Sequence, residues 1–156
     1  MLENTDKIGI SMSGGLDSSL MTWLLCTEIS DNNKNTEVFP LHGIDNTRPT
    51  SPEHIQNTIN FLRTSFPSVK IHDMLTWDNT KDYITPKSKK DSAGLQKWCL
   101  KYKIRYLYQG RTANPPKEVT DSFGGHFEKV RSHNNDRPIK EHIRPFDAYL
   151  IRPWVN

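Results

Sequence analysis

Ser11-Met12-Ser13-Gly14-Gly15-Leu16-Asp17-Ser18-Ser19 is the stretch on which the fold turns, because a short apolar run precedes it and a longer one follows. Lys7-Ile8-Gly9-Ile10 reads as a buried strand. Residues 17–29 read as a packed helix, with Leu20, Trp23, Leu24, Leu25 and Cys26 spread over most of its faces. The two glycines therefore fall at a strand-to-helix junction. A helix start presents unpaired backbone N–H groups and the positive end of the helix dipole, and glycine lets backbone approach a ligand without a Cβ in the way. The hydroxyls of Ser11, Ser13, Ser18 and Ser19 add donors around the same point. The same composition also suits a plain helix cap after a tight turn, with Asp17 or Ser18 as the capping residue.

Outward from this stretch the pattern alternates. Val38-Phe39-Pro40-Leu41-His42-Gly43-Ile44 reads as a second strand, in which Pro40 removes one donor and directs that side toward an edge. Ser51-Pro52-Glu53-His54 looks like a helix start, with Ser51 as N-cap and Pro52 in the first helical position. Ile55, Ile59 and Leu62 give its buried face, and Phe66-Pro67 stops it. Residues 69–74 alternate as a third strand, 77–90 read as a polar and basic surface segment, and Leu95, Trp98, Cys99 and Tyr102 form the stripe of a third helix. Ile104-Arg105-Tyr106-Leu107-Tyr108 is a fourth strand, followed by a turn-rich loop through Gly110 and Arg111. Strands alternating with helices predict an α/β fold, an open, mostly parallel twisted sheet flanked by helices. Ligands of such sheets bind outside the carboxyl ends of the strands, so the polar segment 45–50, with Arg48, belongs on the same rim as the glycine turn.

Neither G-x-x-x-x-G-K-[ST] nor G-x-G-x-x-G occurs, so a Walker-type kinase or a dinucleotide-binding dehydrogenase has no local support. Ser13-Gly14-Gly15-Leu16-Asp17-Ser18 instead resembles the SGGxDS pyrophosphate loop of the PP-loop ATP pyrophosphatase family, matching at all six positions and lying near the N-terminus after a strand. The resemblance implies an adenine nucleotide alpha hydrolase-like, Rossmann-like domain over 1–156 that binds ATP with Mg²⁺. It implies cleavage of ATP to AMP and pyrophosphate, with AMP passed to a carboxylate or carbonyl oxygen for later attack by ammonia or sulfur. Carried onto this sequence, the phosphate site comprises Ser11, Ser13, Gly14, Gly15, Asp17 and Ser18, while His42, Gly43 and Ile44 lie where the family's backbone meets adenine. Gly110 stands where a glycine loop closes over the nucleotide, and Arg111 is the cation for a phosphate. Asp17 is either the Mg²⁺ ligand or the helix cap. Asp17, Ser18 and Arg111 are thus the expected catalytic residues.

The loop is compatible with amidotransferase-type synthetases such as asparagine synthetase, with 7-cyano-7-deazaguanine synthases and with tRNA-thiolating enzymes. No glutaminase precedes it here, and the zinc-binding cysteine cluster of the deazaguanine synthases has no counterpart. Substrate is therefore left as a small molecule or a tRNA. A non-catalytic ATP-binding domain or subunit, and an RNA-binding module using the run 87–90, remain as alternatives. The family's further C-terminal helix has no counterpart either, so the chain is a trimmed or minimal member, or a second copy or partner subunit completes the site.

The chain has 156 residues, 34% of them hydrophobic, and a formal charge of +3 from 21 basic and 18 acidic residues. Those values suit one lean core and an anionic ligand without identifying it. Cys26 and Cys99 both lie in apolar helical stretches, which argues against a disulfide framework and for inert core thiols. No signal-peptide plan opens the chain and no apolar run nears the ~20 residues of a membrane span, so a cytoplasmic protein is expected. Residues 113–142 are hydrophilic and read as a polar loop or lid. His126, His133 and His142 within them match no metal-ligand spacing.

Overall fold

The computed structural model describes residues 2, 4–80, 87–112, 139–143, 148–152 and 154–155; for 87–92 and from 111 onward it describes the backbone alone. Its elements run β1 (Lys7–Ser11), α1 (Leu16–Asp31), β2 (Glu37–Ile44), α2 (Ser51–Ser65), β3 (Leu75–Asp78) and α3 (Lys87–Tyr102). They continue through β4 (Tyr106–Tyr108), β5 (Arg111–Thr112), β6 (Ile139–Ile143), β7 (Ala148–Arg152) and β8 (Trp154–Val155). One sheet has the order β3-β2-β1-β4-β7-β6, and β5 pairs with β8 in a small second one. From β3 to β7 all neighbours are parallel, and β6 adds to β7 antiparallel. The chain is thus an α/β protein with an open, mostly parallel sheet flanked by helices.

Helices cover both faces, which is why β1 and β2 are apolar throughout rather than alternating. On one face Met21, Leu25, Cys26 and Ile29 of α1 and Ile55, Ile59 and Leu62 of α2 pack with Ile8, Ile10 and Val38 in a single cluster. On the other, Cys99 of α3 meets Phe39 and Ile104, while Leu95 and Trp98 pack on Leu41 and Leu107. Fully burying each such aliphatic side chain contributes about 1.5–3 kcal/mol, so these two layers fix the sheet's orientation to its helices.

The third strand departs from the sequence expectation. Residues 69–74 do not form it: their backbone pairs with β2 through a single bridge, Val38 to Ile71, and β3 begins only at Leu75, opposite Leu41. Pro40 supplies the reason. Val38 both donates to Lys70 (2.9 Å) and accepts from His72 (2.9 Å), so the even-numbered residues of β2 face this neighbour, and Pro40 has no N–H to offer there. The ladder lapses at the missing donor and resumes one residue out of step. Pro40 therefore sits inside the sheet, not at an edge.

Smaller corrections follow the same logic. The N-cap of α2 is Thr50, not Ser51, and Pro52 is its second residue; Ser51 is buried (5% exposed) beneath Gly14. The segment read as surface at 77–90 contributes Trp77 and Asp78 to β3 and its basic run to the first turn of α3. Of the polar stretch 113–142, residues 113–138 lie outside the described residues, as do His126 and His133, whereas 139–143 form strand β6 and not a loop. The apolar, proline-containing end supplies β7 and β8. The fourth strand is shorter than expected, Tyr106–Tyr108, with Ile104 buried just before it.

Candidate functional site

β1 runs into α1 through residues 12–15, at the centre of the sheet. β2 lies on one side of β1 and β4 on the other, so strand order reverses its direction of growth there, which opens a crevice at the carboxyl ends. The turn is shaped from within. Gly14 has φ +77°, the left-handed region that side chains resist, and a Cβ there would also stand 3.2 Å from the backbone of Ser51. The Ser18 hydroxyl accepts from the Ser13 N–H (3.2 Å) and donates to the Gly15 carbonyl (3.1 Å). Ser19 donates to that carbonyl through both its hydroxyl (3.0 Å) and its N–H (3.3 Å).

These bonds turn the Gly15 carbonyl inward, toward the helix. Gly15 is the N-cap of α1, in an extended conformation (φ −94°, ψ 171°), and no side chain caps the helix. The leading N–H groups of α1 have no carbonyl a turn earlier, so helix geometry gives this end a positive, donor-rich face. A Cβ on Gly15 would meet only the Ser13 hydroxyl, at 3.4 Å, an ordinary contact. Nothing among the described residues thus requires glycine at 15, whereas the fold itself requires it at 14.

Beside the turn lies a cavity of about 250 Å³ lined by Ser11, Met12 and Ser13 from the β1 end, His42 and Gly43 from β2, Asp45 and Arg48 from the following loop, and Trp77, Leu95 and Gln109. Among the described residues its walls are mixed: one carboxylate, one guanidinium, and the apolar surfaces of Met12, Trp77 and Leu95. Asp45 accepts the Thr47 N–H (2.9 Å) and hydroxyl, which holds the loop in a tight turn over the rim. His42 is buried (7% exposed), and its Nδ1 lies 2.9 Å from the Met12 carbonyl. Its Nε2 has no hydrogen-bond partner among the described residues.

Of the residues singled out from sequence, Ser11, Ser13, His42, Gly43 and Arg48 share this cavity. Gly14, Gly15, Asp17 and Ser18 adjoin it at the start of α1. Ile44 is turned away, its carbonyl accepting the Asn79 N–H (2.9 Å) from the chain just beyond β3. Gly110 packs on α1 itself: a Cβ there would stand 2.8 Å from the Asp17 carbonyl oxygen. Arg111 begins β5, and its side chain lies outside the described residues.

Sequence reasoning missed Trp77 and Leu95 as walls, whereas Asp45 and Gln109 belong to the loops after β2 and β4 that it placed at the site. One signal was present. Gly94 interrupts the apolar stripe of α3, and a Cβ there would fall 2.2 Å from the Trp77 ring, so this helix carries glycine in order to admit the indole. Trp98 completes the arrangement by donating its Nε1–H to the Thr76 carbonyl (3.0 Å).

Both cysteines are core residues, Cys26 at 0% and Cys99 at 1% exposure, in clusters on opposite faces of the sheet. Burial pushes each thiol up to about 12. Among the described residues no group of three or more His, Cys, Asp or Glu gathers as a metal site. Among them, too, no helix is long and apolar enough to cross a membrane.

No protein-family model and no curated protein matches the sequence. Solved structures do. A U34-tRNA thiolase, NcsA from Methanococcus maripaludis with its [4Fe-4S] cluster, is similar over 97% of this chain, with 14% identity and a TM-score of 0.57. The chain spans about half of that protein's length (52%). A protein of the universal stress protein family from Burkholderia pseudomallei is similar over 96% of both chains, with 7% identity and a TM-score of 0.53. At such identities the likeness is one of fold, an α/β sheet shared by proteins of different tasks.

Proposed function

We propose that this chain binds ATP at the β1–α1 turn and uses it for adenylylation, cleaving ATP to AMP and pyrophosphate. One observation supports the reading above the rest. The string that resembles the PP-loop, Ser13-Gly14-Gly15-Leu16-Asp17-Ser18, occupies the strand-to-helix turn where strand order reverses, with its helix end uncapped and a cavity beside it. In this reading the β- and γ-phosphates rest against the leading N–H groups of α1 and the hydroxyls of Ser11 and Ser13, and the nucleoside enters the cavity.

An acceptor oxygen attacks the α-phosphorus, the bond from that phosphorus to the bridging oxygen breaks, and pyrophosphate leaves with the electron pair. Donors fixed before the reaction stabilise the charge that grows on the leaving group. Ser18, whose hydroxyl is engaged with Ser13 and Gly15, keeps those donors in place. Mg²⁺ suits the site chemically, since the Asp17 carboxylate offers hard oxygen beside the phosphates, and the ion supplies charge neutralisation there. Asp17 and Arg48 are the charged groups from which the nucleotide takes its orientation, with Arg111 and Gly110 closing from the β4 side.

The acceptor is a carboxylate or carbonyl oxygen of a small molecule or an RNA base. Structural likeness to a tRNA thiolase favours the RNA base. A [4Fe-4S] cluster is held by cysteine thiolates, and Cys26 and Cys99 are too few, too buried and too far apart in the fold to fit one. No step here runs through a cluster, and sulfur or ammonia comes from a separate donor. A cytoplasmic location accords with this chemistry.

The test is direct. Purified protein incubated with ATP and Mg²⁺, with and without bulk tRNA, should release AMP and pyrophosphate. Release of ADP and phosphate instead would refute the reading. Tight ATP binding without cleavage under any condition would favour a non-catalytic, nucleotide-holding domain.

A further inference from the structure

Resting on the nucleotide reading of the β1–α1 cavity, we propose that His42 selects the base: its Nε2 accepts a hydrogen bond from the 6-amino group of adenine. Three observations carry this. First, the Met12 carbonyl 2.9 Å from Nδ1 can only accept, so it assigns the ring proton to Nδ1 and leaves Nε2 with a lone pair. Second, that Nε2 is buried and has no hydrogen-bond partner among the described residues, in a residue whose own exposure is 7%, so a base reaches it with a small shift of the cavity wall. A buried polar atom left unpaired costs stability, and native proteins retain one where a ligand or water satisfies it. Third, His42 lines the cavity together with Met12, Trp77 and Leu95, whose apolar surfaces suit a flat aromatic ring, and about 250 Å³ suits a purine.

The tautomer makes the site selective as well as attractive. Adenine presents an N–H donor at its 6-position, which Nε2 can accept. Hypoxanthine and guanine present an oxygen acceptor there, and two lone pairs would meet. Nε2 cannot switch to a donor without taking a proton while Nδ1 keeps the one bonded to Met12. Unsubstituted purine offers nothing, and Nε2 stays unpaired. A polar site of this kind discriminates because the wrong ligand leaves its buried group unsatisfied.

Binding of nucleotides to the intact protein tests this without a variant. In calorimetric titrations with Mg²⁺, ATP should bind about ten- to a hundred-fold more tightly than purine riboside triphosphate, with inosine triphosphate at least as weak. Equal affinities for all three would overturn the role of His42 and leave the ATP reading standing. Binding of none of them would overturn the ATP reading itself. In His42→Leu the preference for ATP over inosine triphosphate should shrink to within about twofold. A preference that persists in a folded His42→Leu protein would refute the assignment, and should that variant not fold, the three nucleotides on the wild-type protein decide alone.

Discussion

Gly14 and Gly15 are adjacent and chemically identical, yet the structure gives them opposite roles, so Ala substitutions at the two positions should separate folding from binding. At Gly14, φ is +77°, and a Cβ would meet Ser51 Cα, Cβ and O at 3.2 Å. Placing a side chain in the left-handed region costs about 1–2 kcal/mol, and Ser51, held at the start of α2, must also yield by a few tenths of an ångström. Against this, Ala restricts the unfolded chain and returns about 0.4–1 kcal/mol. The net loss for Gly14→Ala is about 1–2 kcal/mol, or about 2–8 °C in Tm for a domain of this size. At Gly15, φ −94° is open to any residue and the nearest contact is 3.4 Å. A weaker N-cap costs about 0.5–1 kcal/mol and the unfolded-state gain offsets it, so Gly15→Ala should keep its Tm within about 2 °C. Its Cβ, however, projects at the donor-rich helix start, and ATP affinity should fall tenfold or more. Thermal unfolding and ATP titration of both variants provide the assay. Wild-type affinity in Gly15→Ala would refute the placement of phosphate at α1, and equal loss of stability in both variants would refute the geometric distinction.

Other parts of the fold give independent expectations. Glu37 accepts from Lys70 (2.9 Å) and His72 (2.6 Å), and these hydrogen bonds, that of Lys70 foremost, hold its carboxyl below the usual carboxylate value of 4.5. A lowered folded-state pKa contributes stability above the unfolded pKa and loses it as pH falls through the folded one. The urea midpoint of wild type should therefore exceed that of Glu37→Gln at pH 7, and the difference should shrink as pH falls below the usual carboxylate value; equality at pH 7 would show the pair to be inert. With both thiols pushed up to about 12 by burial, a disulfide reagent at pH 8 should label Cys26 and Cys99 only after denaturation. Rapid labelling of the native protein would contradict their burial. Gly94→Ala gains about 1 kcal/mol of helix propensity, yet its Cβ would fall 2.2 Å from the Trp77 ring. Net destabilisation with a shifted tryptophan emission is expected, and an unchanged Tm would show that Trp77 moves freely.

The early elements were legible because each carried one clear period: the apolar run of β1, the i, i+4, i+7 spacing of Ile55, Ile59 and Leu62, and the stripe of α3. The third strand was misplaced although 69–74 alternates well, because its ladder partner decides where pairing holds, and Pro40 lies 29 to 34 residues earlier in the chain. β6 was illegible for another reason. Ile139-Lys140-Glu141-His142-Ile143 is polar enough for solvent, and its single ladder with β7 comes from an edge position. At the site, the glycine turn and Arg48 could be placed from spacing and the carboxyl-end rule. Trp77 could not, since membership of β3 follows from a register that Pro40 displaces. His42 was noticed for its backbone, while the chemistry of its ring depends on Met12, 30 residues away and brought near only by the pairing of β1 with β2.

The contacts around the glycine turn hold an exposed segment in place, as the proposed anion cradle requires. Gly14 is keyed against Ser51 at the start of α2, and Gly110 allows the chain after β4 to press on the Asp17 carbonyl in the first turn of α1. Between them Ser18 ties Ser13 to Gly15. The helix start is thus held from the β2 side, from the β4 side and through its own hydroxyls before any ligand arrives. Donors fixed in this way lose little further freedom on binding and do not reorganise as charge moves. The opposite holds for the cavity alongside, where His42 Nε2 has no partner among the described residues. On the proposed reading, a rigid anion grip common to any triphosphate, set beside a base contact that only one kind of purine completes, divides affinity from selectivity. Loss of the first should weaken all nucleotides alike, and loss of the second should change only their ranking.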